Sequence, residues 1–127
     1  MAANHFKTAV PVIASSDVMK TVAYFVQVLG FEQQWIWGEP PVYAGICAGQ
    51  ALIYISHDPV LARAIQESRL APDVYFWVKE IESLYARHSA NGAQILEKLE
   101  TRPWGTRQYS VLEPNGYHLK IAESESG

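Results

Sequence analysis

Apolar positions along this chain follow two rhythms, one of period two and one near 3.6, and the order of those rhythms repeats. From Phe6 to Ala14, Val, Ile and Thr form a run that is apolar on both faces, which predicts a strand. Pro11 within it predicts an edge position, because proline has no backbone donor for a second neighbour. Ser15, Ser16 and Asp17 then offer capping oxygens, and Val18, Val22, Phe25 and Leu29 recur at helical spacing until Gly30 supplies a left-handed stop. Phe31 to Trp37, Tyr43 to Ala48 and Ala51 to Ser56 predict three strands, separated by turns at Gly38-Glu39-Pro40-Pro41 and Ala48-Gly49-Gln50.

Asp58-Pro59 predicts the start of a short helix running to Glu67, with Arg69 to Pro72 as its exit. The order then restarts. Asp73 to Val78 alternates as a strand, and Ile81, Leu84, Tyr85 and His88 mark one helix face that ends at Asn91-Gly92. Gln94 to Leu99, Arg107 to Leu112 and Tyr117 to Ala122 complete a second trio of strands, and Glu123 to Gly127 reads as a polar, frayed tail. Gly30 and Gly92 close corresponding helices, so the halves read as a divergent duplication. The expected class is α+β, with two tandem βαβββ units forming cupped mixed sheets and helices on the outer face. A single domain, 1–127, holds the units at 6–57 and 73–122 and a linker at 58–72.

A hydrophobic fraction of 49% with 18% charged residues is ordinary for a globular domain of 127 residues. The net charge of −3 gives no global attraction to nucleic acid or to anionic membranes. Nothing approaches the roughly 20 apolar residues of a membrane span, and no signal peptide is recognisable. Cys47 is the one cysteine, so no intrachain disulfide forms, and a cytoplasmic location is expected.

The repeated unit, the Leu29-Gly30-Phe31 helix exit and the hairpin at Glu113-Pro114-Asn115-Gly116 resemble the vicinal oxygen chelate superfamily over residues 6 to 122. That superfamily includes glyoxalase I, extradiol dioxygenases, and fosfomycin- and bleomycin-resistance proteins. Trp104-Gly105-Thr106-Arg107, followed by Tyr109 to Gly116, looks most like the bleomycin-resistance branch. The resemblance implies that metal-using relatives hold a divalent ion at positions matching Val10, Tyr54, Asp73 and Lys120. Of these four only Asp73 is a normal ligand for a hard cation. No cofactor or metal is therefore expected. His88 sits on an apolar helix stripe and reads as a core residue, His57 as a loop residue and His5 as part of the chain's start, while His118 shares the strand parity of Lys120.

If the four positions face the cup, alternation puts Val10, Val12, Leu52, Tyr54, Ser56, Asp73, Tyr75, Trp77, His118 and Lys120 on that face. Ile13, Ile53, Ile55, Val74, Phe76, Val78, Leu119 and Ile121 fall on the other, which suits the underside of two helices. The first set mixes aromatic surface with polar tips, the usual make-up of a small-molecule pocket. Trp35, Trp37 and Trp104 add rings that stack on a ligand or pack at a core or dimer surface, and Arg107 is available for an anionic group or for pairing within the chain. The expected function is sequestration of a small organic ligand without a catalytic metal, by a homodimer of the kind common among these relatives. The rivals are a glyoxalase-like lyase or isomerase with ligands among Asp73, His118 and Glu123, and an interaction protein whose cup is filled by side chains. Asp73 and Lys120 are expected to pair where the relatives' metal would stand; the other arrangement has Lys120 at the rim and Asp73 capping a strand end.

Overall fold

The computed structural model describes residues 4–68 and 72–124. The first unit runs β1 (Val12–Ser15), α1 (Val18–Gln27), β2 (Glu32–Trp37), β3 (Tyr43–Ala48) and β4 (Ala51–His57). After α2 (Pro59–Ser68) the second unit runs β5 (Asp73–Trp77), α3 (Ile81–Ala90), β6 (Gln94–Thr101), β7 (Thr106–Leu112) and β8 (His118–Ser124). Each unit folds into a four-stranded mixed sheet, in the orders β1-β4-β3-β2 and β5-β8-β7-β6. In both, the first strand lies parallel to the last and the others are antiparallel. The α+β class and the tandem units are as the periodicity predicts.

The two unit helices start differently, α1 for a local reason and α3 for a distant one. The Asp17 side chain accepts from Lys20 N at 3.2 Å, capping α1, and Gly30 follows with φ of 81°. The cap of α3 comes from the far end of the chain. Glu123 accepts from the backbone N–H of Glu80 at 3.0 Å and of Ile81 at 3.2 Å, placing a carboxylate at a helix N-terminus. This corrects the expected frayed tail: Glu123 and Ser124 belong to β8, while 125–127 lie outside the described residues. The predicted exit of α2 at 69–71 also lies outside them.

A second correction concerns the first strand, which begins at Val12 and not at Phe6. Its pairing with β4 runs from Val12↔Tyr54 to Ser15↔His57, and Pro11 contributes a carbonyl to Tyr54 N just ahead of it. Phe6 is exposed, and Val10 precedes the strand.

The predicted helix-side residues make the core. Ile13, Ile53, Ile55, Leu119 and Ile121 are buried with Phe25, Tyr109 and Val111 in one cluster that draws on both units. Edge-to-face contacts carry it across, from Phe25 to Phe31 at 5.2 Å and from Phe31 to Phe76 at 6.0 Å. Since both sheets give the same kind of face to one core, their other faces turn away from it.

His88 is the polar joint in this core, as its place on an apolar stripe suggested. Its Nε2 lies 3.1 Å from Leu29 O and its Nδ1 2.7 Å from the Tyr109 hydroxyl. A carbonyl only accepts, so Nε2 carries the proton and Tyr109 donates to Nδ1. Burial holds the imidazole below its ordinary pKa, with the Leu29 carbonyl opposing the shift. The folded form therefore binds a proton less readily than the unfolded form, and this contribution to stability is lost as pH falls below about 6.5. His88→Phe is expected to cost about 2 kcal/mol, by stranding two buried polar groups, and to remove that acid dependence. Urea denaturation at pH 5 and pH 7.5 checks both outcomes.

Candidate functional site

The faces turned from the core carry most of the exposed rings. On the first sheet, pairing sets Trp35 opposite Gly45 and Gly45 opposite Tyr54, while Tyr43 lies opposite Trp37 and Ser56. Trp35, Tyr43 and Tyr54 form a mutual edge-to-face trio, with centroids 5.3, 5.2 and 5.9 Å apart. Gly45 makes this possible. A Cβ there would stand 2.3 Å from Trp35 Nε1, so the indole lies where any other side chain would project. Trp37 and Val12 extend this face and are exposed.

The second sheet presents a different surface. Tyr75 and Trp77 are exposed on β5 with ring centroids 5.2 Å apart, and the Tyr75 hydroxyl donates to Gln108 at 3.0 Å. Lys120 lies in register between Tyr75 and Ser110, and its Nζ is 3.1 Å from Asp73 Oδ2. The expected charge pair is thus formed, on the expected face. Ser110 donates to Glu97 at 3.1 Å, and Arg102 reaches Glu100 at 3.0 Å and Glu97 at 3.2 Å. His118 sits two residues along β8 from Lys120, opposite Asp73 and Leu112.

Three of the residues singled out from the sequence are not brought to these sheet faces. Arg107 is on the helix side, where its Nε donates to Glu82 of α3. Trp104 is exposed in the turn between β6 and β7. Glu123, considered as a metal ligand for the enzyme reading, is engaged at the start of α3 on the opposite face. Conversely, Tyr43, Gly45, Glu97, Arg102, Gln108 and Ser110 belong to the faces and were not singled out. Strand register reveals them, and single-sequence alternation does not fix register.

An open cavity of about 650 Å³ is lined by His118, Leu112, Tyr24, Gln66 and the Glu113–Gly116 turn. Glu113 is fully buried and accepts from Asn115 N at 2.9 Å, Asn115 Nδ2 at 2.7 Å and Tyr117 N at 3.4 Å. Burial outweighs these bonds and pushes its pKa up to about 7. The Tyr24 hydroxyl is raised to about 12, by burial and then by Glu113.

The arrangement of tandem βαβββ units with open faces defines a fold shared with known proteins. The sequence profile of the Glyoxalase/Bleomycin resistance protein/Dioxygenase superfamily matches residues 3–121, and the chain belongs to that family. Similar solved structures include TioX from Micromonospora sp. ML1, at 21% identity over 94% of this chain and 99% of that one, with a TM-score of 0.78. A bleomycin resistance determinant encoded on the transposon Tn5 is similar at 19% identity over 94% and 99%, with a TM-score of 0.79. So is the bleomycin-binding protein of Streptomyces verticillus, solved with copper(II)-bleomycin, at 20% identity over 97% and 100%, TM-score 0.76. No curated protein matches the chain in sequence.

At the positions that the resemblance matches to the relatives' metal ligands, the donor set does not suit a divalent ion. Val10 offers no lone pair, Tyr54 packs within the aromatic trio, and Lys120 sets an ammonium against Asp73. Among the described residues no group of three or more His, Cys, Asp and Glu could hold a metal ion.

Proposed function

We propose that this protein binds and sequesters a small organic molecule in a cup lined by its open sheet faces, with no catalytic metal. The carrying observation is the Lys120–Asp73 pair at 3.1 Å on the face that bears Tyr75 and Trp77, at positions that the resemblance matches to metal ligands in the metal-using relatives. A protonated amine excludes a cation from that position and leaves aromatic surface as the main source of affinity. The named activity of the bleomycin-binding relative supports the same reading, although bleomycin itself is not implied.

The protein acts as a cytoplasmic homodimer, in which a second copy closes the open faces. Support comes from the shared core, which uses the helix side of both sheets and leaves Trp37, Tyr75 and Trp77 exposed. Sedimentation equilibrium is expected to give a dimer at micromolar concentration; a monomer throughout would remove the second copy from the site. Purified protein is expected to hold no stoichiometric zinc, iron, manganese or nickel by elemental analysis. About one metal per chain, lost with a measurable activity on chelation, would favour the lyase or isomerase instead. A melting-shift screen against flat aromatic natural products tests the binding itself, a ligand at about 100 times its Kd adding roughly 2.7 kcal/mol of stability.

A further inference from the structure

The two cations Lys120 and Arg102 on the second sheet's open face are each held by carboxylates. Lys120 is held by Asp73 at 3.1 Å, and Arg102 by Glu97 at 3.2 Å and Glu100 at 3.0 Å. On the first sheet the strand residues sharing the parity of Trp35, Gly45 and Tyr54 are uncharged except Glu32, at the far end of β2. The rings form a wall already assembled, because Trp35 is seated over Gly45 and braced by Tyr43 and Tyr54.

We infer that the cup selects an uncharged, flat aromatic ligand, an assignment that rests on the cup being the binding site. A carboxylate approaching Lys120 must displace Asp73, and the two acids then compete for one ammonium. An ammonium approaching Asp73 must likewise displace Lys120 and leave it beside a like charge. Either route separates an ion pair whose lysine side chain is 32% exposed and whose aspartate side chain is 48% exposed, a modest cost that a neutral ligand does not meet. A neutral ring system meets no such penalty, since it stacks on the exposed faces of Tyr75 and Trp77 and takes hydrogen bonds from groups that stay paired. The carboxylate in excess, shared between Glu97 and Glu100, lies along β6, where exposure and salt weaken its pull on a cation.

Three probes with one ring system and different charge test this: naphthalene-2-carboxamide, 2-naphthoate and 2-naphthylmethylammonium. Isothermal titration calorimetry on the wild-type protein is expected to rank the carboxamide about threefold tighter than either charged probe. Asp73→Asn, which frees Lys120, is expected to move the preference toward 2-naphthoate. Lys120→Met, which frees Asp73, moves it toward the ammonium. Circular dichroism melts establish that both variants fold, as expected for a pair that is partly exposed. A charged probe binding the wild type as tightly as the carboxamide, or a ranking unmoved by the two variants, overturns the ligand class and leaves the cup standing. Absence of binding by all three at millimolar concentration, or binding indifferent to both Tyr54→Ala and Trp77→Ala, overturns the cup as the site and the class with it.

Discussion

Glu113→Ala is expected to lose roughly 3 kcal/mol or more of folding stability, because it strands the Asn115 backbone N–H, the Asn115 amide and the Tyr117 N–H in a buried turn. The loss extends past the hairpin. Asn115 also donates to Thr21 at 2.9 Å and accepts from Ser16 N at 3.2 Å, so its orientation fixes the start of α1. The same carboxyl gives a pH signature opposite in sign to that of His88. Its folded pKa of about 7 lies above the ordinary 4.5, so its contribution is fully present below about pH 4.5 and is lost as pH rises through about 7. Roughly 3 kcal/mol is at stake over that span. Glu113→Gln keeps the volume and cannot ionise, and is expected to flatten the descent between pH 5 and 8 in urea titrations. An unchanged slope would show that the hydrogen bonds, not burial, govern this carboxyl.

Gly45→Ala is expected to cost about 1–3 kcal/mol, since the new methyl would fall within 2.3 Å of Trp35 Nε1 and 2.4 Å of its Cε2. Trp35 is a rigid ring braced by two tyrosines, so relief requires the whole indole to leave the sheet. In a Trp35→Ala background the sign is expected to reverse, because alanine suits a strand better than glycine once the space is free. Chemical denaturation of the four proteins of this cycle measures the coupling. Ligand affinity is expected to fall with the single Gly45→Ala change, as the aromatic wall is dispersed. Additive effects in the cycle would mean that the indole relocates without consequence.

The helices and most strands were legible because caps, left-handed glycines and hydrophobic periodicity are local signals. Alternation also sufficed for Asp73 and Lys120, which share a face two register steps apart. It did not suffice for β1, since Phe6 to Val10 has the composition of a strand and the limit is set by how far β4 extends beside it. Arg107 was singled out for its place after Trp104-Gly105-Thr106, whereas strand parity gives the open face to Gln108 and Ser110. Tyr43 and Gly45 depend on cross-strand register, and Glu123 on a helix start 42 residues away in sequence. None of these is encoded within a short window.

The tie between β1 and the last hairpin has a consequence for how the protein is made. Ala14 N donates to the Tyr117 hydroxyl at 2.8 Å across 103 residues of sequence, and Ser16 N meets Asn115 across 99. A growing chain presents Ala14 to solvent well before Tyr117 exists, and at ordinary translation speeds the interval is roughly 5 to 20 s. Throughout it the outer edge of β1 has an open donor and no lid, the condition under which nascent strands pair with neighbours on the same message. Completion of the Glu113–Tyr117 turn supplies the partners that close this edge.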